Sequence, residues 1–233
     1  MPTFTAPLNV LQRGLHAVTP HLDFDTWTPA LECVNVVNDG TDILLLSTDR
    51  FSAAEYRIPH VEIIAPDVLR GGEVFLLTEE AVEHVREFTN VPRSDWDDAP
   101  PQYAPDGWTV IVDLVDADPD DLSTGALLIS IIDDAGVTRS MRRLESRRTS
   151  YPAVHGLFPD RLTPASTIGA SADILGRVAK TANFVGDVFG PTEITISTGH
   201  VESRRPVFVI EYGDAPVRVL FSQRELTASA GGE

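Results

Sequence analysis

Residues 30–63, ALECVNVVNDGTDILLLSTDRFSAAEYRIPHVEI, decide the fold. Three extended runs stand in a row: ALECVNVV (30–37), DILLLSTD (42–49) and AAEYRIPHVEI (53–63). Asp39-Gly40 between the first two is a strong hairpin signal, because a tight two-residue turn needs positive φ. Working outward toward the N-terminus, Leu8, Leu11, Leu15 and Val18 recur at helical spacing behind Pro7. Proline suits the opening turn of a helix, where its missing N–H costs nothing, and Pro20 ends the run. Thr3–Thr5 supplies a short strand ahead of it. The first segment therefore reads as strand, helix and three antiparallel strands, with Gln12, Arg13 and His16 off the apolar stripe.

The same order recurs twice. EVFLL (73–77) precedes a helix with Thr78 at its N-cap and Ala81, Val82, Val85 and Phe88 on its apolar side. WTVIVDLV (108–115), ALLISIID (126–133) and VTRSMRRLES (137–146) complete that unit, interrupted by acidic, Pro-rich loops. In the third unit, STIGAS (166–171) is expected to be the first strand. Ser171 caps a helix through Ala182, with Leu175, Val178, Ala179 and Ala182 facing inward. TEITIST (192–198), PVFVIEYG (206–213) and VRVLFSQ (217–223) come next. Three βαβββ units of roughly 75 residues predict an α+β fold of antiparallel sheets, each covered on one face by helices.

Composition narrows the function. The chain has 233 residues, 42% of them hydrophobic, and 18 Lys+Arg against 35 Asp+Glu for a net charge of −17. The N-terminus, MPTFTAPLNV, lacks the basic start and apolar block of a signal peptide, so a soluble cytoplasmic protein is expected. The single cysteine, Cys33, excludes a disulfide scaffold and fits a buried thiol. The six histidines (16, 21, 60, 84, 155 and 200) show no metal-ligand spacing. Neither a G-x-S-x-G elbow nor a P-loop is present. Asp116, Asp118, Asp120 and Asp121 lack the glycine and glutamate of a calcium loop, and Pro119 interrupts them. These patterns point away from an enzyme and from any cofactor. The acidic balance disfavours simple nucleic-acid adhesion, since phosphate binding relies on cations, but where the cations lie matters more than their sum.

Three stretches carry a resemblance. LLLSTDRFSAAEYRIP (44–59), YPAVHGLFP (151–159) and VRVLFSQREL (217–226) stand in the order of similar motifs in bacterial DNA sliding clamps, the polymerase III β subunit family. The chain resembles the second clamp domain (1–150), a linker (151–164) and half of the third domain (165–228), with a frayed tail (229–233). It departs from the family pattern at Arg50-Phe51-Ser52-Ala53 and at Phe221-Ser222-Gln223-Arg224. A clamp so reduced is of the kind a phage encodes.

The resemblance implies a DNA-clamp fold, with antiparallel sheets outside and helices lining a ring that encircles duplex DNA without reading sequence. It implies DNA polymerase, a clamp loader and further copies of the chain as partners. Twelve units per ring divided by three per chain gives a tetramer, with a trimer as the alternative count. Residues implied to face DNA are Arg13, His16, His84, Arg86, Arg177 and Lys180. The implied pocket for client peptides comprises Thr48, Arg50, Phe51, Ser52 and Ala53; Pro152, Gly156 and Leu157; and Val219, Leu220, Phe221, Gln223 and Arg224. A clamp-like adaptor that binds replication proteins without encircling DNA is the other reading left open.

Overall fold

The computed structural model describes residues 3–23, 28–38, 42–58, 62–63, 73–88, 103–115, 125–145, 151–159, 161–165, 168, 170–200 and 206–222. The first unit comprises β1 (Thr3–Pro7), α1 (Leu8–Val18), β2 (Val34–Asn38), β3 (Ile43–Thr48), β4 (Ser52–Ile58) and the short β5 (Glu62–Ile63). The second comprises β6 (Glu73–Leu77), α2 (Glu79–Arg86), β7 (Thr109–Val115), β8 (Ala126–Ile132) and β9 (Thr138–Glu145). The third comprises β10 (Leu162–Pro164), α3 (Ala172–Phe189), β11 (Ile194–Gly199), β12 (Val207–Tyr212) and β13 (Val217–Ser222). The repeated α+β order read from the sequence is the order observed. The Asp39-Gly40 turn and the Asp116–Asp121 cluster lie outside the described residues.

Two antiparallel sheets result, one ordered β5-β1-β7-β8-β9 and one ordered β10-β11-β12-β13-β4-β3-β2-β6. Units one and two exchange their first strands. β1 pairs with β7 of the second unit, and β6 pairs with β2 of the first. The third unit makes no such exchange: its own β10 pairs with its own β11. It joins the first unit through β13 and β4, with Val219 opposite Ala54 and Phe221 opposite Ser52, so one sheet runs across both.

Helix α1 sits at the centre of the helical layer. Leu8, Leu11, Leu15 and Val18 are fully buried in a core that also takes side chains from both sheets, α2 and α3. Gly14 permits this closeness, since a Cβ there would stand 2.6 Å from Leu45 Cδ1 and 2.7 Å from Tyr56 Cδ1. Gln12 is not a surface residue. Its buried amide donates to the Val85 and Phe88 carbonyls at the end of α2 (3.0 and 2.7 Å) and accepts from the Ala104 N–H (2.8 Å). It thereby satisfies carbonyls that a helix C-terminus leaves without intrahelical partners. Thr78 stands at the N-cap of α2 but makes no side-chain capping bond, whereas Ser171 accepts from the Ile174 N–H (3.4 Å).

The third unit departs from expectation at two points. Its first strand is β10, earlier than the STIGAS run, and α3 continues to Phe189, well beyond Ala182. The buried positions of α3 are Ile174, Thr181, Phe184 and Val185. Leu175 and Ala179, expected inside, are exposed. An apolar stripe exists at those positions, but it lies beside the face that the helix buries.

Candidate functional site

The turn between β3 and β4 fixes the junction of units one and three. Asp49 is buried, and its Oδ1 accepts from the N–H groups of Phe51 (3.0 Å) and Ser52 (2.6 Å) and from Ser52 Oγ (2.9 Å). Its Oδ2 binds Arg177 of α3, which also pairs with Asp173 (3.2 Å). Ser52 Oγ lies 2.9 Å from His21 Nδ1, and His21 Nε2 lies 3.3 Å from Thr181 Oγ1. Burial lowers the His21 pKa to about 4, against a smaller opposing effect of Asp49. Because Ser52 Oγ donates to Asp49, the neutral ring donates from Nδ1 to Ser52, while Thr181 Oγ1 lies 3.3 Å from both Nε2 and the Ala17 carbonyl. Although Asp, Ser and His meet here, the carboxylate binds the serine and not the imidazole, and Ser52 is buried. The arrangement ties α3 to unit one and activates no nucleophile.

On the helical face, a cavity of about 610 Å³ opens between the end of α1 and the start of α3. His16, Arg86, Arg177 and Lys180 line it, with Asp173 as the acidic member. Four of the six residues expected to face DNA therefore converge. Only Lys180 of these is exposed. His16 lies between Tyr103 (5.6 Å, edge-on) and Phe184 (6.1 Å, stacked), and burial with the nearby Arg86 lowers its pKa to about 4. It is thus neutral at physiological pH and adds no charge for phosphate. The Arg13 guanidinium lies 5.5 Å over the Tyr103 ring. His84 turns toward β9, its Nε2 3.3 Å from Ser140 Oγ, and stands apart from the cavity.

The opposite face of the eight-stranded sheet carries a second apolar cluster. Tyr151, Val154 and Phe158 of the segment after β9 pack on Leu44, Leu46, Ala53, Val207, Val209 and Leu220, with Leu157 partly buried beside them. Tyr151 Oη donates to the Leu46 carbonyl (3.2 Å), and the Arg218 guanidinium lies 4.9 Å over the Phe158 ring while binding the buried Glu55 (2.6 Å).

The expected pocket residues divide between the two faces. Ala53, Leu157 and Leu220 converge on this outer cluster, and Thr48 is buried where β3 ends. Pro152 and Gly156 are exposed nearby. Val219 and Phe221 belong to the helix-side core, with Phe221 5.2 Å from Phe208, so they leave the outer set. The physical reason is strand alternation: only every second residue of β13 can face outward. Ser52 likewise points to His21. Phe51, 58% exposed, projects from the turn, where Arg50 adopts the left-handed φ of 78° and its guanidinium reaches Thr28 Oγ1 (2.8 Å). Gln223 and Arg224 lie outside the described residues.

Sequence reasoning missed the linking roles of His21, Asp49 and Thr181, and the outer contacts of Tyr151, Phe158 and Arg218. Asp49 lay inside the first motif and was its available signal. The others are brought together only by long-range pairing. Among the described residues, no group of His, Cys, Asp or Glu is placed to hold a metal ion, and no helix is long and apolar enough to cross a membrane.

No protein-family model matches the chain, and no curated protein matches its sequence. Solved structures do match its fold. A protein assigned as a DNA polymerase III beta subunit in Eubacterium rectale superposes with a TM-score of 0.59 at 12% identity, over 97% of this chain and 66% of that one. The DNA polymerase sliding clamp of Pseudomonas aeruginosa gives 0.56 at 12% identity, over 97% and 64%. The DNA polymerase III beta subunit of Thermotoga maritima gives 0.52 at 12% identity, over 95% and 64%. The chain therefore spans just under two thirds of the length of these proteins. Strand exchange between two βαβββ units, a third unit joined by edge pairing and these superpositions together establish that this is a protein of the DNA sliding clamp fold.

Proposed function

We propose that copies of this chain assemble into a ring that encircles duplex DNA and serves as a polymerase processivity factor. One observation carries the proposal. The sheet continues from unit three into unit one through β13 and β4, while α1, α2 and α3 all bury into the core on the same side of it. Repeating that joint curves sheets outside and helices inside. Twelve such units give four chains. Topological linkage then makes tight grip unnecessary, so an acidic outside is compatible with DNA inside. Lys180 and the cations around the α1–α3 cavity are the DNA-facing groups, acting on the backbone without base readout. The outer surface over the cluster of Ala53, Leu157 and Leu220, together with the exposed Phe51, is the docking site for client peptides of polymerase and clamp loader, where a few apolar anchors would carry most of the binding.

The test is retention. Loaded by a clamp loader onto nicked circular DNA, the protein should remain bound through gel filtration and be released when the circle is cut; equal release from both would reject encirclement. A second reading, an adaptor that binds replication proteins off DNA, is favoured by α2, which presents Glu79, Glu80, Glu83 and Glu87. Binding of polymerase peptides without retention on circles would establish it instead.

A further inference from the structure

The helical layer is short of acceptors in one region. Among the described residues, Arg13 Nε, Arg86 Nε and Tyr103 Oη are buried without a hydrogen-bond partner. They are neighbours: the Arg13 guanidinium lies over the Tyr103 ring, and both arginines act electrostatically on the Tyr103 hydroxyl, as does Asp187. Protein interiors leave few such groups, and each calls for a partner, an ion included. All three can donate, so what they lack is an acceptor. His16, edge-on to Tyr103, and Arg86 carry this region to the wall of the cavity of about 610 Å³.

The cations of that cavity are not equivalent. Arg177 is bound by Asp49 and Asp173, and His16 is neutral, so neither brings free charge. Arg86 and Lys180 make no ion pair among the described residues. Burial pushes the Arg86 pKa down from its ordinary value, and the exposed Glu83 and Glu87 of its own helix offset this only in part. In a chain of net charge −17, two unanswered cations on one cavity mark a place for an anion. A single carboxylate suits one guanidinium fork. Here a fork from α2 and a point charge from α3 stand on separate helices, which suits the several oxygens of a phosphate. The wall is apolar at Pro20, Leu22 and Gly176, and the volume is that of a small-ligand site and not of an ion alone. A sugar and base find contact there without readout.

We propose that this cavity binds the phosphate group of a nucleotide unit, held between Arg86 and Lys180. Arg177 shapes the wall without joining in, because Asp49 and Asp173 hold it. The duplex backbone as the source of that phosphate rests on the proposed encirclement; the site itself does not.

Titration of the full chain with sodium phosphate, against sodium chloride at equal ionic strength, reads the site by NMR. The Gly176 amide and His16 ring signals should shift and saturate, while the Gly186 amide, outside the cavity on the same helix, stays still. Arg86→Met and Lys180→Met should each raise the Kd for phosphate by about tenfold or more, the loss of one charge-assisted bond. Arg161→Met, which removes an exposed cation outside the cavity, should leave it unchanged. Thermal unfolding establishes that each variant folds, and Lys180, being exposed, tests the site even where Arg86→Met does not. No saturable shift, or equal weakening by Arg161→Met, overturns the site. A deoxynucleoside monophosphate that binds more tightly than inorganic phosphate supports a nucleotide unit, and equal binding overturns that assignment. A short duplex weakened by both cavity variants but not by Arg161→Met identifies the backbone as the source; a duplex weakened by neither identifies free nucleotide. Retention on nicked circles without a phosphate-dependent shift would sink the site and leave the ring. Saturable phosphate binding without retention would sink the ring and leave the site.

Discussion

Units one and three share a βαβββ grammar and differ in how their helices are used. Helix α1 is enclosed: α2 lies on one flank, α3 on the other, and Gly14 presses against the sheet. Helix α3 is longer, closed on one side only, and Gly176 and Gly186 have nothing within 4 Å of where a Cβ would stand. The two helices show that an apolar stripe does not itself say what it packs against. In α1 it meets this chain's own core, and in α3 Ala182 packs on that core while Leu175 and Phe189 stay exposed.

The strongest way to break the comparison is to cut the link between the two units. Asp49 is buried and serves two N–H groups, Ser52 and Arg177, so Asp49→Ala should cost about 3–5 kcal/mol, the range for removing one member of a buried pair. Asp173, on the same arginine but 72% exposed, should cost no more than about 0.5 kcal/mol when changed to Ala. Urea unfolding measures both. Equal losses would mean that the turn between β3 and β4 does not hold α3.

Acid attacks the same seam. The folded pKa values of His16 and His21 are both about 4, well below the ordinary histidine value of 6.5. Folding therefore favours the neutral rings. Their contribution is fully present above pH 6.5 and is lost as pH falls toward 4, by up to about 3 kcal/mol for the buried His21 and less for half-buried His16. Unfolding midpoints at pH 7.5 and 4.5 test this, and His21→Gln should flatten part of the difference. A slope unchanged in that variant would place the acid sensitivity elsewhere.

The seam itself could not be read from the sequence, although its flanks could. Hairpin runs such as DILLLSTD and the α1 stripe announce themselves because their periods are local. The joining of β13 to β4, the exchange of β1 and β6, and the meeting of His21 with Thr181 each unite residues far apart in the chain. No local period encodes them. The α3 stripe misled for a different reason. Leu175 and Ala179 look more apolar than Thr181, yet they are exposed while the helix buries Thr181 beside His21, and only Val178 and Ala182 of the expected stripe pack on the core. At the candidate pocket, the motif around Thr48 was accessible, and strand alternation requires that Val219, Leu220 and Phe221 divide between the two faces; which of them faces outward is fixed by the pairing of β13 with β4 and β12.

Glycine substitutions sharpen the contrast at the smallest energies. Gly14→Ala should destabilise by about 1–3 kcal/mol despite alanine's helical preference, because the added methyl meets Leu45 and Tyr56 below 3 Å. Gly176→Ala, on α3 but off the stripe, should stabilise by up to about 1 kcal/mol, as relief of backbone entropy in an open helical position predicts. Gly186→Ala should stabilise an isolated chain by the same amount, since its surroundings are equally open. Thermal melts of both variants should therefore rise by similar amounts. A Gly186→Ala chain that melts below the parent would mean that this flank of α3 is covered after all, and that the enclosed and open helices differ less than their exposure says.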